Sequence, residues 1–276
     1  FWRKNMSLYK KKFEELNKKN EKAFIPFIVL GDPDFNTSKK ILDTIAKEAD
    51  CLELGFPFSD PIADGKRIQA ADERALKAKI NTDKCFELIK YIRKKNKDTP
   101  IGLLLYYNLV YSNGTENFLK KAKSAGVNGI LIADMPIEES DSMQKLCAKH
   151  GLEQIFIVSP LTKGSRMKNI LSKARGFVYV VSVLGVTGER SKIKSSTIKL
   201  VKRIKKYSKT PICVGFGISK TEHVKKVIRE GADGAIVGSA IEAIIEKNLK
   251  NKKKLFKELT NFVKKIKGAT KNAKNN

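Results

Sequence analysis

Cysteine and histidine are scarce in this chain of 276 residues, which excludes several kinds of site. The four cysteines lie far apart, and no pair has the spacing of zinc ligands or of a redox motif, so we expect them to be reduced and buried. The two histidines, His150 and His223, are expected at the surface. They offer almost no material for a metal site or a Ser/His/Asp triad. We predict no metal site, and any catalysis must fall to carboxylates.

Long apolar runs are also absent. No run approaches the roughly 20 apolar residues of a membrane-spanning helix, and the start of the chain lacks the apolar stretch of a signal peptide. We therefore predict no membrane association and a cytoplasmic location. Residues 1–5 precede a more natural start at Met6 and are interpreted as a possible extension.

Acidic residues are few beside the basic ones, and the formal net charge is +27. Such a balance raises the possibility of nucleic-acid binding. However, lysine supplies nearly all of the excess, and it is spread over almost every predicted helix without interleaved aromatic residues or a recognition motif. The pattern favours solvated helix faces. We predict no specific nucleic-acid partner, although non-specific binding to polyanions is expected.

What the sequence does contain is a regular alternation of short apolar runs with lysine-rich segments of helical spacing. Such segments include 37–49, 82–95, 138–150, 195–207 and 221–229. Alternation of this kind indicates parallel strands joined by helices. Eight repeats in about 250 residues fit a closed (β/α)₈ TIM barrel better than an open doubly wound sheet. The eight predicted strands are 24–30, 51–54, 101–106, 130–133, 154–158, 177–181, 212–215 and 234–237.

No linker or composition shift divides the chain, so residues 1–276 are predicted to form a single TIM-barrel domain. The lysine- and asparagine-rich tail, residues 268–276, is predicted to fray. The widest gaps between strands follow the second and the sixth. We expect extended loops there, over the C-terminal mouth of the barrel, where the chemistry of this fold takes place.

The segment from Cys51 to Gly65 carries the acids that point most clearly to an active site. Period-two alternation turns Glu53 to one face of an apolar strand, where burial would raise its pKa toward neutrality and suit it to proton transfer. A buried acid paired within the barrel is the alternative. Asp60 and Asp64 follow in a turn-rich loop, where we expect them to be more exposed to water than Glu53 and to stay ionised. Two carboxylates in unlike surroundings can divide the roles of acid and base.

Glycines follow the last three strands in a pattern that suits an anion. Gly188, the segment 215–219 and the segment 238–241 would present bare N–H groups, and Ser239 would open the final helix with its partial positive charge. The loops after strands seven and eight are the usual phosphate site of this fold. The predicted substrate is a small phosphate ester.

Further residues at the strand ends are less diagnostic. Asp134 is predicted to cap the helix that Glu138 and Glu139 begin. Tyr179 could line a pocket or fill the barrel. Phe27 and Leu104 have the character of apolar walls of the site, and Asn108 follows the third strand.

Taken together, these motifs resemble the tryptophan synthase alpha subunit family over about residues 23–245. The matching stretches are 24–27 with 31–33, 52–55 through 64–65, 102–108, 133–136, 185–188, 215–219 and 238–241. Lys66 and Arg67 depart from the family's proline-containing pair, and Leu184 stands where a small or polar residue is more common.

The resemblance implies a lyase of tryptophan biosynthesis that cleaves indole-3-glycerol phosphate by a retro-aldol reaction to indole and glyceraldehyde 3-phosphate. It implies that Glu53 is the general acid/base, that Asp64 holds the indole nitrogen, and that the lid residue Thr187 pairs with Asp64. Asp60 and Asn108 would face a beta subunit in an alpha2-beta2 heterotetramer. No cofactor is expected in this chain, and pyridoxal phosphate is expected only in the beta partner. The predicted substrate-binding residues are Phe27, Leu104, Tyr179, Thr187, Gly188, Phe216, Gly217, Gly238 and Ser239.

Two alternatives remain open from the sequence. Another phosphate-ester barrel, such as a sugar-phosphate isomerase, would share the glycines but place its acid and base elsewhere. A catalytically inactive barrel, retained as a subunit or as a polyanion binder, would show salt-dependent binding to nucleic acid and no lyase activity.

Overall fold

Parallel strands form one sheet in the computed structural model, which describes residues 6–181 and 195–271. The strands of the described residues are β1 (Ala23–Val29), β2 (Leu52–Gly55), β3 (Ile101–Leu105), β4 (Gly129–Ile132), β5 (Glu153–Gln154), β6 (Phe156–Val158), β7 (Val178–Val181), β8 (Ile212–Gly215) and β9 (Gly234–Val237). Their order in the sheet is β5-β4-β3-β2-β1-β9-β8-β7-β6. The first strand therefore pairs with the last, as a barrel requires.

The sheet nearly closes on itself at Ile155. The fifth predicted strand is split there, because β5 pairs with β4 whereas β6 pairs with β7. The Ile155 amide still donates to the carbonyl of Ile130, at 2.9 Å, so the ladder passes from one neighbour to the other within a few residues. The predicted TIM barrel with parallel strands is confirmed.

Helices follow the strands around the outside. They are α1 (Leu8–Lys18), α2 (Phe35–Ala46), α3 (Lys66–Lys77), α4 (Thr82–Lys95), α5 (Tyr107–Ser112), α6 (Thr115–Ala125), α7 (Asp141–Lys149), α8 (Gly164–Lys173), α9 (Ser195–Lys205), α10 (Thr221–Arg229), α11 (Ser239–Lys247) and α12 (Lys252–Lys271), with a 3-10 helix at Ile137–Glu139. The predicted helices 82–95 and 221–229 have the observed bounds.

Several predicted helix bounds differ from the structure: the helix predicted at 37–49 ends at Ala46, and the one predicted at 195–207 ends at Lys205. Two further differences have local reasons. The second helix begins at Phe35, earlier than predicted, because Asp34 caps it and accepts from the Thr37 amide at 2.8 Å. The predicted helix 138–150 is divided into the 3-10 helix and α7 at Ser140, whose hydroxyl donates to the Ile137 carbonyl at 2.7 Å.

The last helix, which lacked a sequence prediction, continues past the point where fraying was expected. α12 runs to Lys271, and both Ala269 and Thr270 are buried. The Thr270 carbonyl accepts from the Lys22 amide at the start of the barrel. Residues 268–271 are therefore helical, while residues 1–5 and 272–276 lie outside the described ranges.

The loops predicted to be extended remain partly a prediction. Residues 56–65 separate β2 from α3. The segment after the sixth predicted strand lies outside the described residues from 182 to 194. Within the described ranges, no helix is both long and apolar enough to cross a membrane.

The N-terminal end of the barrel is covered by α1. Its Tyr9 is buried at 1% exposure, and its ring packs edge-on against Phe177 at 5.7 Å between centroids. A Cβ on Gly102 would stand 2.6 Å from the Tyr9 hydroxyl, and one on Gly129 would stand 3.0 Å from its ring. Glycine is therefore needed at the starts of β3 and β4, because the tyrosine occupies the space that a side chain would take.

A buried ion pair joins the last helix to the same end of the barrel. Lys267 donates to both carboxylate oxygens of Asp50 at 2.8 Å and to Glu21 at 3.2 Å. The Asp50 carboxylate also accepts from the Phe24 amide of β1 at 2.7 Å. The pair thus fixes α12 across the entry to the first two strands.

We predict that Lys267→Met lowers the free energy of unfolding by about 3–5 kcal/mol, because it leaves the Asp50 carboxylate buried without its cation. Urea denaturation followed by circular dichroism measures the effect. Lys264→Met, at an exposed position of the same helix, is the control and should change little. Equal stability of the two variants would contradict the role given to the pair.

Candidate active site

The C-terminal ends of the strands open into a cleft of about 510 Å³. Its walls contain every predicted substrate-binding residue of the described ranges, together with the predicted acid Asp64. The lining residues are Phe27, Asp64, Gly65, Ile68, Leu104, Tyr179, Phe216, Gly217, Ile218, Ile236, Gly238 and Ser239. Gly65, Ile68, Ile218 and Ile236 were not predicted from the sequence. The predicted residues Thr187 and Gly188 lie outside the described residues.

Glu53 lies inside the barrel, level with the aromatic wall of the cleft. Parallel pairing places it opposite Phe27 of β1 and Gly102 of β3. The residue is 3% exposed, and its Oε2 atom is buried without a hydrogen-bond partner among the described residues. Burial, followed by the negative charge of Asp64, raises the pKa of Glu53 to about 8. The carboxyl is therefore mainly protonated at neutral pH.

Asp64 is held at the cleft by the backbone and side chains around it. The Tyr106 hydroxyl donates to its Oδ2 at 2.7 Å and accepts from the Ala63 amide at 3.0 Å. Gln69, on the helix that follows, donates to the Asp64 carbonyl at 2.9 Å. Burial raises the pKa of Asp64 above its ordinary value, and the hydrogen bond from Tyr106 opposes that rise. The acid is therefore drier than the sequence predicted, although less buried than Glu53.

Two residues near Asp64, Tyr106 and Asp72, were not predicted from the sequence as part of the site. The ring of Tyr106 stacks on Phe58, with centroids 5.0 Å apart and planes 17° from parallel. The Phe58 amide donates to Asp72 of α3 at 3.3 Å. Burial and the charge of Asp64 raise the pKa of Asp72 to about 8. An aspartate at a buried position of an amphipathic helix was the available signal, since such acids are seldom buried without a partner.

Two glycines let aromatic rings approach the backbone of the cleft. A Cβ on Gly215 would stand 2.2 Å from the Tyr179 hydroxyl, and one on Gly238 would stand 2.8 Å from the Phe27 ring. Both aromatic residues line the cleft. The sequence alone left Tyr179 open between lining a pocket and filling the barrel. Burial, then the charge of Glu53, raises the pKa of Tyr179 well above its ordinary value, so it carries its proton.

The turn after β8 and the start of α11 form another part of the cleft wall. Phe216 has a φ of 59° and Gly217 a φ of 71°, so two successive residues adopt the left-handed conformation. This conformation is rare for a side chain as large as phenylalanine. As predicted, Ser239 opens a helix, though α12 follows it and α11 is not the final one. The N-terminus of α11 offers unpaired amide groups and a partial positive charge to an anion.

Asp60 and Asn108, the predicted partner-facing residues, are both exposed at the same end of the barrel. Large apolar side chains are exposed beside them: Ile62 at 83%, Tyr111 at 66% and Leu161 at 90%. These residues follow β2, β3 and β6 in the chain.

Asp134 was predicted to cap the helix that follows it, but in the structure it does not. Its carboxylate instead accepts from the Tyr107 amide at 2.8 Å, at the first residue of α5. The parallel sheet explains the difference, because it brings the end of β4 beside the end of β3. The acid thus satisfies a helix start on the neighbouring strand.

The remaining candidates are structural. The surface prediction is wrong for His223, which is buried at 5% exposure and whose Nδ1 accepts from the Ser219 amide at 3.3 Å. All four cysteines are free and buried, as predicted. In the part of the chain that the structure describes, no three His, Cys, Asp or Glu side chains are grouped so that they could hold a metal ion.

Comparison with known proteins gives one family. A family model described as "Tryptophan synthase alpha chain" matches residues 13–271. A tryptophan synthase alpha chain of Methanocaldococcus jannaschii is 55% identical over 238 residues, which cover 86% of this chain and 84% of the relative. One of Methanothermobacter thermautotrophicus is 48% identical over 248 residues, covering 90% and 92%.

Solved structures agree with the sequence relatives. One from a study of the tryptophan synthase α2β2 complex of Pyrococcus furiosus has a TM-score of 0.84 and 38% identity, covering 90% of this chain and 99% of that chain. The alpha chain of Legionella pneumophila has a TM-score of 0.88 and 33% identity, covering 97% and 98%.

The raised pKa of Glu53 predicts how stability depends on pH. Between its ordinary value of 4.5 and its folded value of about 8, the folded protein keeps a proton that the unfolded chain has released. The contribution of Glu53 to stability therefore falls as pH rises through this window. We predict that Glu53→Gln stabilises the protein above pH 8 by on the order of 4 kcal/mol, and by far less at pH 4.5.

Urea denaturation of the parent and of Glu53→Gln at pH 4.5, 7 and 9 measures this difference. Glu73→Gln, at an exposed position of α3, is the matched control and should show no such dependence on pH. A constant difference between Glu53→Gln and the parent across the pH range would show that Glu53 does not carry the buried proton.

Proposed function

The chain belongs to the tryptophan synthase alpha chain family, and from this premise we propose how its cleft cleaves indole-3-glycerol phosphate to indole and glyceraldehyde 3-phosphate. The observation that carries the proposal is the position of Glu53. Its buried carboxyl lacks a hydrogen-bond partner at Oε2 among the described residues. It lies level with Phe27, which lines the cleft together with Asp64 and with Ser239 at the start of α11.

The substrate fits the cleft by the chemistry of its two ends. The indole ring would lie among the apolar walls, which include Phe27, Leu104 and Tyr179. The phosphate would lie on the amides of Gly217, Gly238 and Ser239 and at the positive end of α11. Gly188, outside the described residues, belongs to this phosphate site by the family resemblance.

The reaction needs a proton donor that is still protonated, and therefore neutral, when the substrate binds. Glu53 is suited to this role because burial keeps it protonated near neutral pH. It would protonate C3 of the indole, which makes the ring an electron sink. The Glu53 carboxylate left by this step then takes the proton of the glyceryl hydroxyl, the C–C bond breaks with its electron pair passing to the ring, and the aldehyde forms. One proton is gained at C3 and one is lost from the hydroxyl, so the proton count balances.

Asp64 would stabilise the positive charge that develops on the indole nitrogen. The hydrogen bond from Tyr106 favours its ionised form and fixes its direction, while the Phe58–Tyr106 stack fixes the tyrosine. In this proposal the lid residue Thr187 pairs with Asp64 when substrate is bound. Closure of that loop would exclude water from the cleft.

The partner is proposed to be a beta subunit, in an alpha2-beta2 assembly. Asp60 and Asn108 are exposed at the mouth, and Ile62, Tyr111 and Leu161 present apolar surface around it. A subunit docked there would cover the opening of the cleft. We further propose that this chain needs no cofactor, that pyridoxal phosphate belongs to the beta subunit, and that the protein is cytoplasmic.

We predict that the purified chain releases indole from indole-3-glycerol phosphate, and that added beta subunit raises the rate. Indole and glyceraldehyde 3-phosphate are measured together and should appear in equal amounts. Isomerisation of a sugar phosphate without indole release would favour the alternative barrel enzyme. Salt-dependent binding to duplex nucleic acid without lyase activity would favour an inactive, polyanion-binding barrel.

Substitution of the two acids separates their roles from folding. Glu53→Gln should lower kcat by about 10²–10⁴-fold, because it removes proton transfer with little change of shape. Asp64→Asn should lower kcat by about 10²–10³-fold, because it removes a charge that acts in the transition state. Glu73→Gln and Asp98→Asn, at exposed positions, are the controls. A near-parental rate in either active-site variant would remove that residue from the mechanism.

A further inference from the structure

A cluster of charged side chains lies behind the proposed phosphate site. Asp32 follows β1, Arg74 lies on α3, and Glu242 lies in the first turn of α11. The side chains of Asp32 and Glu242 are fully buried, and that of Arg74 is 17% exposed. Arg74 donates to Asp32 through Nε at 2.7 Å and through Nη2 at 2.8 Å. Asp32 thus uses the guanidinium in the bidentate geometry that arginine favours.

Glu242 is held on one side by a backbone amide and faces Asp32 and Arg74 on the other. Its Oε1 accepts from the Val29 amide of β1 at 2.9 Å. Its Oε2 is buried without a hydrogen-bond partner in the described residues, and the nearest guanidinium nitrogen of Arg74 is 3.9 Å away. Glu246, one turn further along α11, also lies 4.0 Å from Arg74 but is 48% exposed to water.

The charges do not balance if both buried acids are ionised. One guanidinium would then face two buried carboxylates, and Asp32 already holds it with two short bonds. A buried carboxylate without a donor costs several kcal/mol, whereas a proton removes that cost. Burial, then the charge of Asp32, raises the pKa of Glu242 well above its ordinary value. Glu242 is therefore the acid of this cluster that carries a proton.

The position of Glu242 connects this cluster to the cleft. The Glu242 amide donates to the Gly238 carbonyl at 3.1 Å, so its backbone belongs to the turn that begins α11. Its carboxyl holds that turn on Val29, which lies two residues after the cleft residue Phe27. The same Phe27 ring packs on Gly238. Moving the Glu242 side chain would therefore move the amides of the phosphate site.

A neutral carboxyl suits this place better than an ionised one. A negative charge in the first turn of α11 would oppose an anion bound at the start of that helix. A protonated carboxyl still accepts the Val29 hydrogen bond, more weakly than a carboxylate does, and adds no such repulsion.

We propose that Glu242, as a neutral carboxylic acid, is a positioning residue for the phosphate site: it fixes the first turn of α11 on β1, and it stays neutral because Asp32 takes the charge of Arg74. The inference rests on the proposed function for the identity of the anion. It assigns Glu242 no contact with substrate.

Three variants test the proposal: Glu242→Gln, Glu242→Ala and, as the matched control on the same helix, Glu246→Gln. Binding of glycerol 3-phosphate is measured by calorimetry, and kcat and KM are measured with indole-3-glycerol phosphate. Glu242→Ala should raise both Kd and KM by about tenfold, the effect of losing one buried hydrogen bond, with kcat within about twofold of the parent. Glu242→Gln, which imitates the neutral acid, and Glu246→Gln should bind within about twofold of the parent.

Infrared difference spectra at pH 6 provide a readout that a purely structural role would not move. Glu242→Gln should lose the carbonyl band of one protonated carboxylic acid, whereas Glu246→Gln should not. If Glu242→Ala does not fold, parental binding by Glu242→Gln together with loss of this band supports the proposal. An unchanged band, or tenfold weaker binding by Glu242→Gln, overturns it.

The outcomes also distinguish this inference from the proposed function. A parent that binds glycerol 3-phosphate, with Glu242→Ala binding equally well, overturns only the role of Glu242. A parent that binds no phosphate ester overturns the phosphate site and the role of Glu242 together. Indole release by the parent is scored separately and decides the lyase activity.

Discussion

Parallel strand pairing sets the height of every side chain inside the barrel, and the site depends on that constraint. The register that places Phe27, Glu53 and Gly102 at one level is fixed by backbone hydrogen bonds along three strands. A slip of one residue would turn Glu53 out of the barrel, because successive side chains of a strand alternate between its faces. The position of Glu53 in the barrel therefore depends on the hydrogen-bonded pairing of these strands.

The protein has a large excess of positive charge, yet its site is built around acids that lie apart from that charge. Lysines are spread over the helices, whereas Glu53 and Glu242 each have a buried oxygen without a hydrogen-bond partner in the described residues. Burial keeps protons on these groups where a surface carboxylate would lose them. In the proposed mechanism, the proton of Glu53 is available to a substrate. The proton of Glu242 keeps a negative charge away from the place where an anion would bind.

The fold could be predicted because periodicity and strand order survive in a single sequence. Helix 82–95 and helix 221–229 have the predicted bounds, and the strand ends gathered the predicted cleft residues. What escaped prediction depends on neighbours in space. Asp134 serves a helix on the adjoining strand, and Tyr106 reaches Asp64 from another loop. The break at Ile155 arises because one short segment pairs with two different neighbours, which no local pattern encodes.

Helix α1 covers the N-terminal end of the barrel, where Tyr9 packs on backbone that lacks side chains. This end of the barrel is therefore closed. Within the described residues, the cleft opens at the C-terminal end of the barrel. Molecules enter the cleft from that end, and the products of a cleaved ester leave from it. Departure of one fragment and arrival of the next ester are therefore both expected at this end of the barrel. A protein bound over that end of the barrel would control both the entry of substrate and the release of products.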